Sequence, residues 1–333
     1  MSMTEDKLNN WCESYKNWLT LRLDEGKERF LINNLPLYYL FFSTAEEVLK
    51  DYEDKEAIDK EAKIYSKMDF FSKLSHANKF FKEINMDVDA EKCVKDGTIN
   101  PTYVNFDIND FTSYVNGRGE VNAAGHGNVT FPNSGLVMDL IVMLHELGHY
   151  ANRPGSKEET CILSEAVALY TELKAYDYLN KLGYHNEVAF FKNLRMKNVY
   201  KDAKKFSSST AIFLTYLNFG RVSEENFKEL FNNRRYYDTI LTIKSEDDFY
   251  RIERAFPYAF GILLASYMHE TVKNDYSFTQ NINVLNKNLN DATFEESLRC
   301  LGIASIDEDL LNEMAKDLNN LRESVVPFKA GSK

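Results

Sequence analysis

The sequence predicts a mainly α-helical fold with a small β-sheet set beside one apolar helix. Three observations carry that reading. Apolar residues recur three and four positions apart through most of the chain, with charges between them, which is the period of a helix packed by one face. One stretch, "TYVNFDINDFTSYVNGRGEVNAAGHGNVTFPNSG" at residues 102–135, breaks that texture with β-branched and aromatic residues, Gly and Asn in short alternating runs. The helical period then resumes directly in "LIVMLHELGHYANRPG", residues 140–155, whose first half is almost wholly apolar.

In chain order, the region from about Glu5 to Ile84 reads as helical on the strength of "EDKLNNWCESYKNWLTLRL" and "EAIDKEAKIYSKMDFFSKLSHANKFFKEI". Pro36 and the "NNLP" that contains it are expected to break this region into separate helices. The turn cluster "KDGTINP", ending at Pro101, marks the expected boundary between an N-terminal helical subdomain, 1–100, and a second region, 101–333. Short strands joined by turns follow. After Ser134 helices are expected almost to the end, with breaks at "NRPGS", at Gly183, around Gly220 and near Pro257. No internal repeat or low-complexity tract interrupts the pattern.

Bulk properties narrow the class. A chain of 333 residues, 44% hydrophobic and 27% charged, is long and apolar enough for a sizeable core, and 23 Phe and 20 Tyr suit a thick helical one. A formal net charge of -11 argues against nucleic acid as a partner, because a phosphate backbone needs a cationic face. The four cysteines Cys12, Cys93, Cys161 and Cys300 lie far apart, giving neither a disulfide framework nor a thiolate metal site; reduced thiols are expected. The N-terminus lacks an apolar signal core and no run is long enough to span a bilayer, so a cytoplasmic protein without a membrane partner is expected.

The chemistry concentrates in residues 140–155. His145 and His149 stand four apart, one turn apart on one helix face, where both imidazoles reach a single metal ion. Glu146 is rotated by about 100° from His145, which suits a neighbouring general base better than a ligand. Two imidazoles and a carboxylate suit one Zn2+ with a position open for water. Gly148 leaves room for another element to approach. The carboxylate is expected from the next helix, "SKEETCILSEAVALYTELKAYDYL", which carries Glu158, Glu159, Glu165 and Glu172. If that helix returns antiparallel, Glu165, beside the small Ala166 and Ala168, lies next to the metal. The alternatives are a mere surface role for Glu165 and Glu158 or Glu159 as ligand, although carboxylates at a helix start are favoured there by the dipole alone. Glu172 is a candidate for holding one imidazole in its tautomer.

These two helices, "SGLVMDLIVMLHELGHY" and "LSEAVALYTELKAYDYL", resemble the active-site helices of the thimet oligopeptidase and oligoendopeptidase F family of zinc peptidases. "NGRGEVNAAGHGNVTFPNSG" is similar to the family's edge-strand segment, "ERAFPYAFGILLASYM" to its Y-A-x-G stretch (Tyr258, Ala259, Phe260, Gly261), and "ESLRCLGIASIDEDLLNEMAKDLNNLRE" to its C-terminal helices. The likeness spans roughly residues 100 to 325. It implies a zincin-type catalytic core, helical with a small sheet and a deep cleft. It further implies endopeptidase action on short peptides, zinc on His145, His149 and Glu165, Glu146 as general base, and Tyr258 aiding substrate binding or the oxyanion. The chain departs from the family in a shorter N-terminal helical region, which would leave the cleft more open, in a shorter loop between Tyr150 and Glu165, and in having no histidine within "YRIERAFPYAFG".

Weaker signals keep two readings each. Tyr258 and Tyr267 are candidate site groups or core tyrosines. Ala123, Ala124 and Gly125 fit a strand edge that pairs with a peptide backbone along residues 121–130, or a tight turn. His126 touches substrate or is an ordinary loop histidine. His76, His185 and His269 have no ligand spacing. The expected protein is a zinc endopeptidase with a peptide substrate. A catalytically weak binding protein on the same frame, or a zinc hydrolase of a non-peptide amide, would share the motif.

Overall fold

A computed structural model describes residues 4–22, 25–53, 65–97, 99–103, 119–121, 127–152, 158–232, 234–288 and 293–323. The helices and strands run α1 (Glu5–Arg22), α2 (Glu25–Leu49), α3 (Phe70–Glu83), α4 (Ala90–Lys95), β1 (Ile99–Tyr103), β2 (Gly119–Val121), β3 (Gly127–Asn133), α5 (Met138–Asn152), α6 (Glu158–Lys181) and α7 (His185–Phe219). They continue through α8 (Glu224–Leu230), α9 (Tyr236–Thr242), α10 (Asp247–Tyr250), α11 (Ile252–Asn274), α12 (Thr279–Asn288), α13 (Phe294–Cys300) and α14 (Glu308–Glu323). The fold is mainly α with one small sheet, as the sequence texture requires. No described helix is long and apolar enough to cross a membrane.

Contacts divide the chain into two compact units. The first comprises Met1–Lys55 and Met196–Phe260. Its core is aromatic: Tyr15 meets Phe213 edge-on with centroids 4.8 Å apart, and Tyr38 stacks on Phe256 at 3.6 Å and 9°. Pro36 does not break α2, which continues through it. Leu35, Tyr38, Phe41, Phe42, Ala45 and Leu49 form a buried stripe that starts beside the proline and anchors the helix beyond it. Pro36 itself is exposed, so water can take up the carbonyl that loses its donor. The break expected near Pro257 falls at Arg251, between α10 and α11, and Pro257 lies inside α11.

The second unit comprises Glu56–Arg195 and Gly261–Lys333. Its sheet has the order β1-β3-β2, with β1 parallel and β2 antiparallel to β3. Pro101 is tolerated in β1 because that strand is an edge. β3 packs against α5, so the sheet lies on the helix that carries the histidines. Gly183 and Gly220, at φ +91° and +67°, terminate α6 and α7 where breaks were expected.

Residues 65–69 depart from the expected helix. Ser66–Met68 run extended against Gly135–Val137, through Met68 N–H to Gly135 O at 2.9 Å and Val137 N–H to Ser66 O at 2.9 Å. Helix α3 begins only at Phe70, where the Asp69 side chain accepts from Ser72 N–H at 3.0 Å. A pairing partner some seventy positions away leaves no local trace in the sequence.

The start of α5 is fixed by a buried ion pair. Lys73, from α3, donates to Asp139 Oδ2 at 2.6 Å and to Asn133 Oδ1 at 2.9 Å, and both Lys73 and Asp139 are fully inaccessible. Asp139 also accepts the backbone N–H groups of Ser134, Gly135 and Leu136 at 2.9 to 3.1 Å, so one carboxylate closes the turn between β3 and α5. Asp139→Ala would strand the Lys73 ammonium and three donors. We expect a loss of about 3–5 kcal/mol in denaturant unfolding; a loss below about 1 kcal/mol would show that the pair does not anchor the helix.

Candidate metal centre

Helix α5 is buried on every side from Met138 to Gly148, and α6 likewise from Ile162 to Leu173. Polar side chains on such helices need partners within the protein. His145 and Glu146 are 6% and 5% exposed, and Glu165 and Glu172 are 7% and 1%.

The two helices lie antiparallel. His145, the earlier of the two histidines on α5, meets Glu172, the later of the two site glutamates on α6, whereas His149 meets Ser164 and Glu165. Gly148 sits between these contacts. A Cβ added there would fall 2.9 Å from Thr171 Oγ1 and 3.0 Å from Ala168 Cα, so the close approach depends on glycine. Gly261 of α11 does the same on another side of α6, where an added Cβ would fall 3.0 Å from Leu169 Cδ1 and 3.3 Å from Ala166 N.

Close packing brings three ligand types to one point. His145 Nε2 lies 3.6 Å from Glu165 Oε1, and His149 Nε2 lies 3.3 Å from Glu165 Oε2. One donor atom from each of the three residues lies within 4.8 Å of the others. A largely buried group of this composition and spacing could hold one metal ion. The opposite ring nitrogens are held away from that point. His149 Nδ1 is 3.0 Å from Ser164 Oγ, and His145 Nδ1 is 3.2 Å from Glu172 Oε2. The Ser164 hydroxyl is hydrogen-bonded to His149 Nδ1, whereas His145 Nδ1 lies within ion-pair distance of Glu172 but makes no hydrogen bond; in both rings Nε2 is left toward the shared point. Glu165 Oε1 and Glu146 Oε2 are buried and accept no hydrogen bond. Orphaned oxygens of this kind, beside two imidazoles, are what a cation would satisfy.

Charge in the site is graded. Burial works to raise the Glu172 carboxyl, but the Arg195 guanidinium and His145 outweigh it and hold it well below the ordinary range. Arg195 grips Glu172 with both arms, Nε to Oε1 at 2.9 Å and a terminal nitrogen to Oε2 at 2.7 Å, while Tyr176 donates to Oε1. Burial also opposes ionisation of Glu165, and its hydrogen bond and charge contact with His149 bring it down instead. Glu146 goes the other way: burial raises it, and the nearby imidazoles only partly compensate.

The structure thus brings together His145, Glu146, His149, Glu165 and Glu172. Tyr258 lies on α11 in the first unit and is 40% exposed. Ala123, Ala124, Gly125 and His126 lie outside the described residues, as do the side chains of Glu158 and Glu159. Two partners escape sequence reasoning. Arg195 lies 23 positions beyond Glu172 across a helix break, and its residue type alone marks nothing. Ser164 reads as an ordinary small helix residue. His269, by contrast, is engaged elsewhere, 2.8 Å from Asp177 and 3.2 Å from Glu270.

No family model and no curated protein matches this sequence. Among solved structures, the chain is similar to one described as an oligoendopeptidase F from Bacillus anthracis str. Ames, with a TM-score of 0.52, 14% identity, and coverage of 97% of this chain and 57% of that one. It is also similar to a PZ peptidase A solved with an inhibitor, with a TM-score of 0.48, 10% identity, and coverage of 97% and 59%. The chain therefore spans a little over half the length of either neighbour. At these identities the first likeness establishes the fold: the helical, small-sheet architecture of an oligoendopeptidase structure.

If glycine at 148 sets the helix spacing, Gly148→Val should cost about 1–3 kcal/mol by overpacking. Metal affinity, measured by competition with a chelator, should fall with it. Unchanged affinity would mean that the donors do not depend on this contact.

Proposed function

We propose that the protein is a zinc-dependent endopeptidase acting on short peptides, with zinc held by His145, His149 and Glu165. The observation that supports this most is the convergence of two Nε2 atoms and the Glu165 carboxylate, with Ser164 hydrogen-bonded to His149 Nδ1 and the Glu172 carboxylate 3.2 Å from His145 Nδ1. The fold likeness to an oligoendopeptidase structure is consistent with it. When bound, zinc would supply a Lewis acid for the scissile carbonyl and acidify a water molecule.

The protein's own groups then divide the work. Glu146, buried and unpartnered at Oε2, takes a proton from the attacking water. Because burial raises its proton affinity, it holds that proton long enough to deliver it to the leaving amine. Glu172, kept ionised by Arg195, orients His145, and Ser164 orients His149. Tyr258 is our candidate for a donor to the developing oxyanion, on the family resemblance of the Tyr258–Gly261 stretch. The peptide backbone is assigned to the segment near residues 121–130, with Ala123, Ala124, Gly125 and His126 as its contacts.

Metal content by mass spectrometry, paired with hydrolysis of quenched fluorescent peptides, tests the assignment. Wild type should carry one zinc, and His149→Ala and Glu165→Ala should lose it. Glu146→Gln should keep zinc while kcat/KM falls by about 10²- to 10⁴-fold. Tyr258→Phe should lower kcat by about 10²-fold with zinc retained. Wild type that binds no zinc on loading, or Glu165→Ala that binds it as tightly as wild type, would overturn the metal assignment.

A further inference from the structure

Helix α6 carries a second set of polar groups on the side turned away from the metal centre. At about 100° per residue, Glu165 and Glu172 fall within one narrow sector, and Tyr170, Lys174, Asp177 and Lys181 fall on the opposite side. That side lines a cavity of about 590 Å³, closed also by Phe80 and Ile84 at the end of α3 and by Val272 of α11. The volume lies within the range of small-molecule sites.

Two polar groups in this cavity lack what their burial demands. Tyr170 is 1% exposed, and its hydroxyl has no hydrogen-bond partner. The Lys174 side chain is 18% exposed, and the one acid within ion-pair reach among the described residues is Asp177, whose Oδ2 is 3.9 Å away, beyond hydrogen-bond distance. That oxygen is already taken by His269 Nε2 at 2.8 Å. The neighbouring lysines are engaged: Lys181 pairs with Glu83, and Lys273 with Glu270. Lys174 is therefore a half-buried ammonium short of acceptors, beside a buried hydroxyl short of a partner, against an apolar wall of Phe80, Ile84 and Val272.

We propose that this cavity is a second binding site, for a small organic monoanion. Its carboxylate would accept from Lys174 and Tyr170, and its hydrocarbon or aromatic body would lie on Phe80, Ile84 and Val272. An anion here relieves both deficits at once, whereas a cation would meet Lys174 head-on and a neutral molecule would leave the ammonium with only its distant ion pair to Asp177. Burial holds the Lys174 ammonium below its ordinary range, the state an incoming carboxylate reverses. The site shares a helix with the metal centre but none of the groups assigned to it, and it stands whether or not the protein is a peptidase.

Ligand-observed NMR titration of the zinc-loaded protein with 3-phenylpropionate tests it. Saturable binding is expected in wild type, weaker by about tenfold or more in Lys174→Met and several-fold weaker in Tyr170→Phe, each lost contact being a charge-assisted hydrogen bond. The matched amide, 3-phenylpropionamide, should bind at least about tenfold more weakly than the acid. Because a carboxylate could also bind zinc, His149→Ala is titrated in parallel and should bind as wild type does. No binding to wild type, equal binding of acid and amide, equal binding by Lys174→Met, or loss of binding in His149→Ala would each overturn the proposal. Should Lys174→Met fail to fold, Tyr170→Phe, which removes one oxygen only, decides in its place.

Discussion

The separation of α5 and α6 governs the rest of the candidate centre. Helices normally pack with axes 8–10 Å apart, set by the side chains between them. Here Gly148 on one helix faces Ala168 and Thr171 on the other, and there is no room for one further carbon. Thr171 turns its hydroxyl back to Val167 O at 2.9 Å, so it presents no unsatisfied group to the contact. Only at that spacing do the short carboxylate of Glu165 and the imidazoles on the adjoining turns of α5 reach one point. The sheet and α3 act upstream of this constraint. Through Asp139 and Lys73 they fix where α5 begins, and so which of its turns faces Glu165.

Three buried carboxylates lie in one region, yet their environments push them apart. Glu172, gripped by a guanidinium and a tyrosine, is a fixed negative charge. Glu146 has no such partner and keeps a raised proton affinity. Pairs of titratable groups separated in this way mark a division of labour, one orienting and the other exchanging a proton. Glu165 lies between them, ionised through its contact with His149 and carrying one oxygen with no hydrogen bond.

What the sequence made legible was local. Two histidines four apart and two glutamates seven apart on a neighbouring helix are statements about single helices, and helical geometry converts them into shared faces without further information. Gly148 was readable for the same reason. The sheet announced itself by composition, and its three strands fall at 99–103, 119–121 and 127–133, against an expectation of a few short strands after Pro101. The failures are all long-range. The local effect of Pro36 is to break a helix, whereas the buried stripe of Tyr38, Phe41, Phe42, Ala45 and Leu49 that follows it and its own exposed position reverse the outcome. Residues 65–69 looked helical by period and are extended because Gly135–Val137 offers them a pairing partner. Arg195 could not be assigned to Glu172 from spacing, because a turn and a new helix intervene between them.

Helix α6 shows why both sites can be read from unmet demand rather than from motif alone. Between Ile162 and Leu173 it has no solvent face, so each polar group on it must be answered by the protein or by something that the protein binds. Ser164 is answered by His149, Thr171 by the Val167 carbonyl, and Glu172 by Arg195, Tyr176 and His145. Two atoms are not answered: Oε1 of Glu165 and the hydroxyl of Tyr170. The first lies among imidazole nitrogens, where a cation meets its need. The second lies near an ammonium short of acceptors, where an anion does. One buried helix thus carries opposite demands on opposite faces, and the sign of each is set by the groups that the neighbouring elements bring to it.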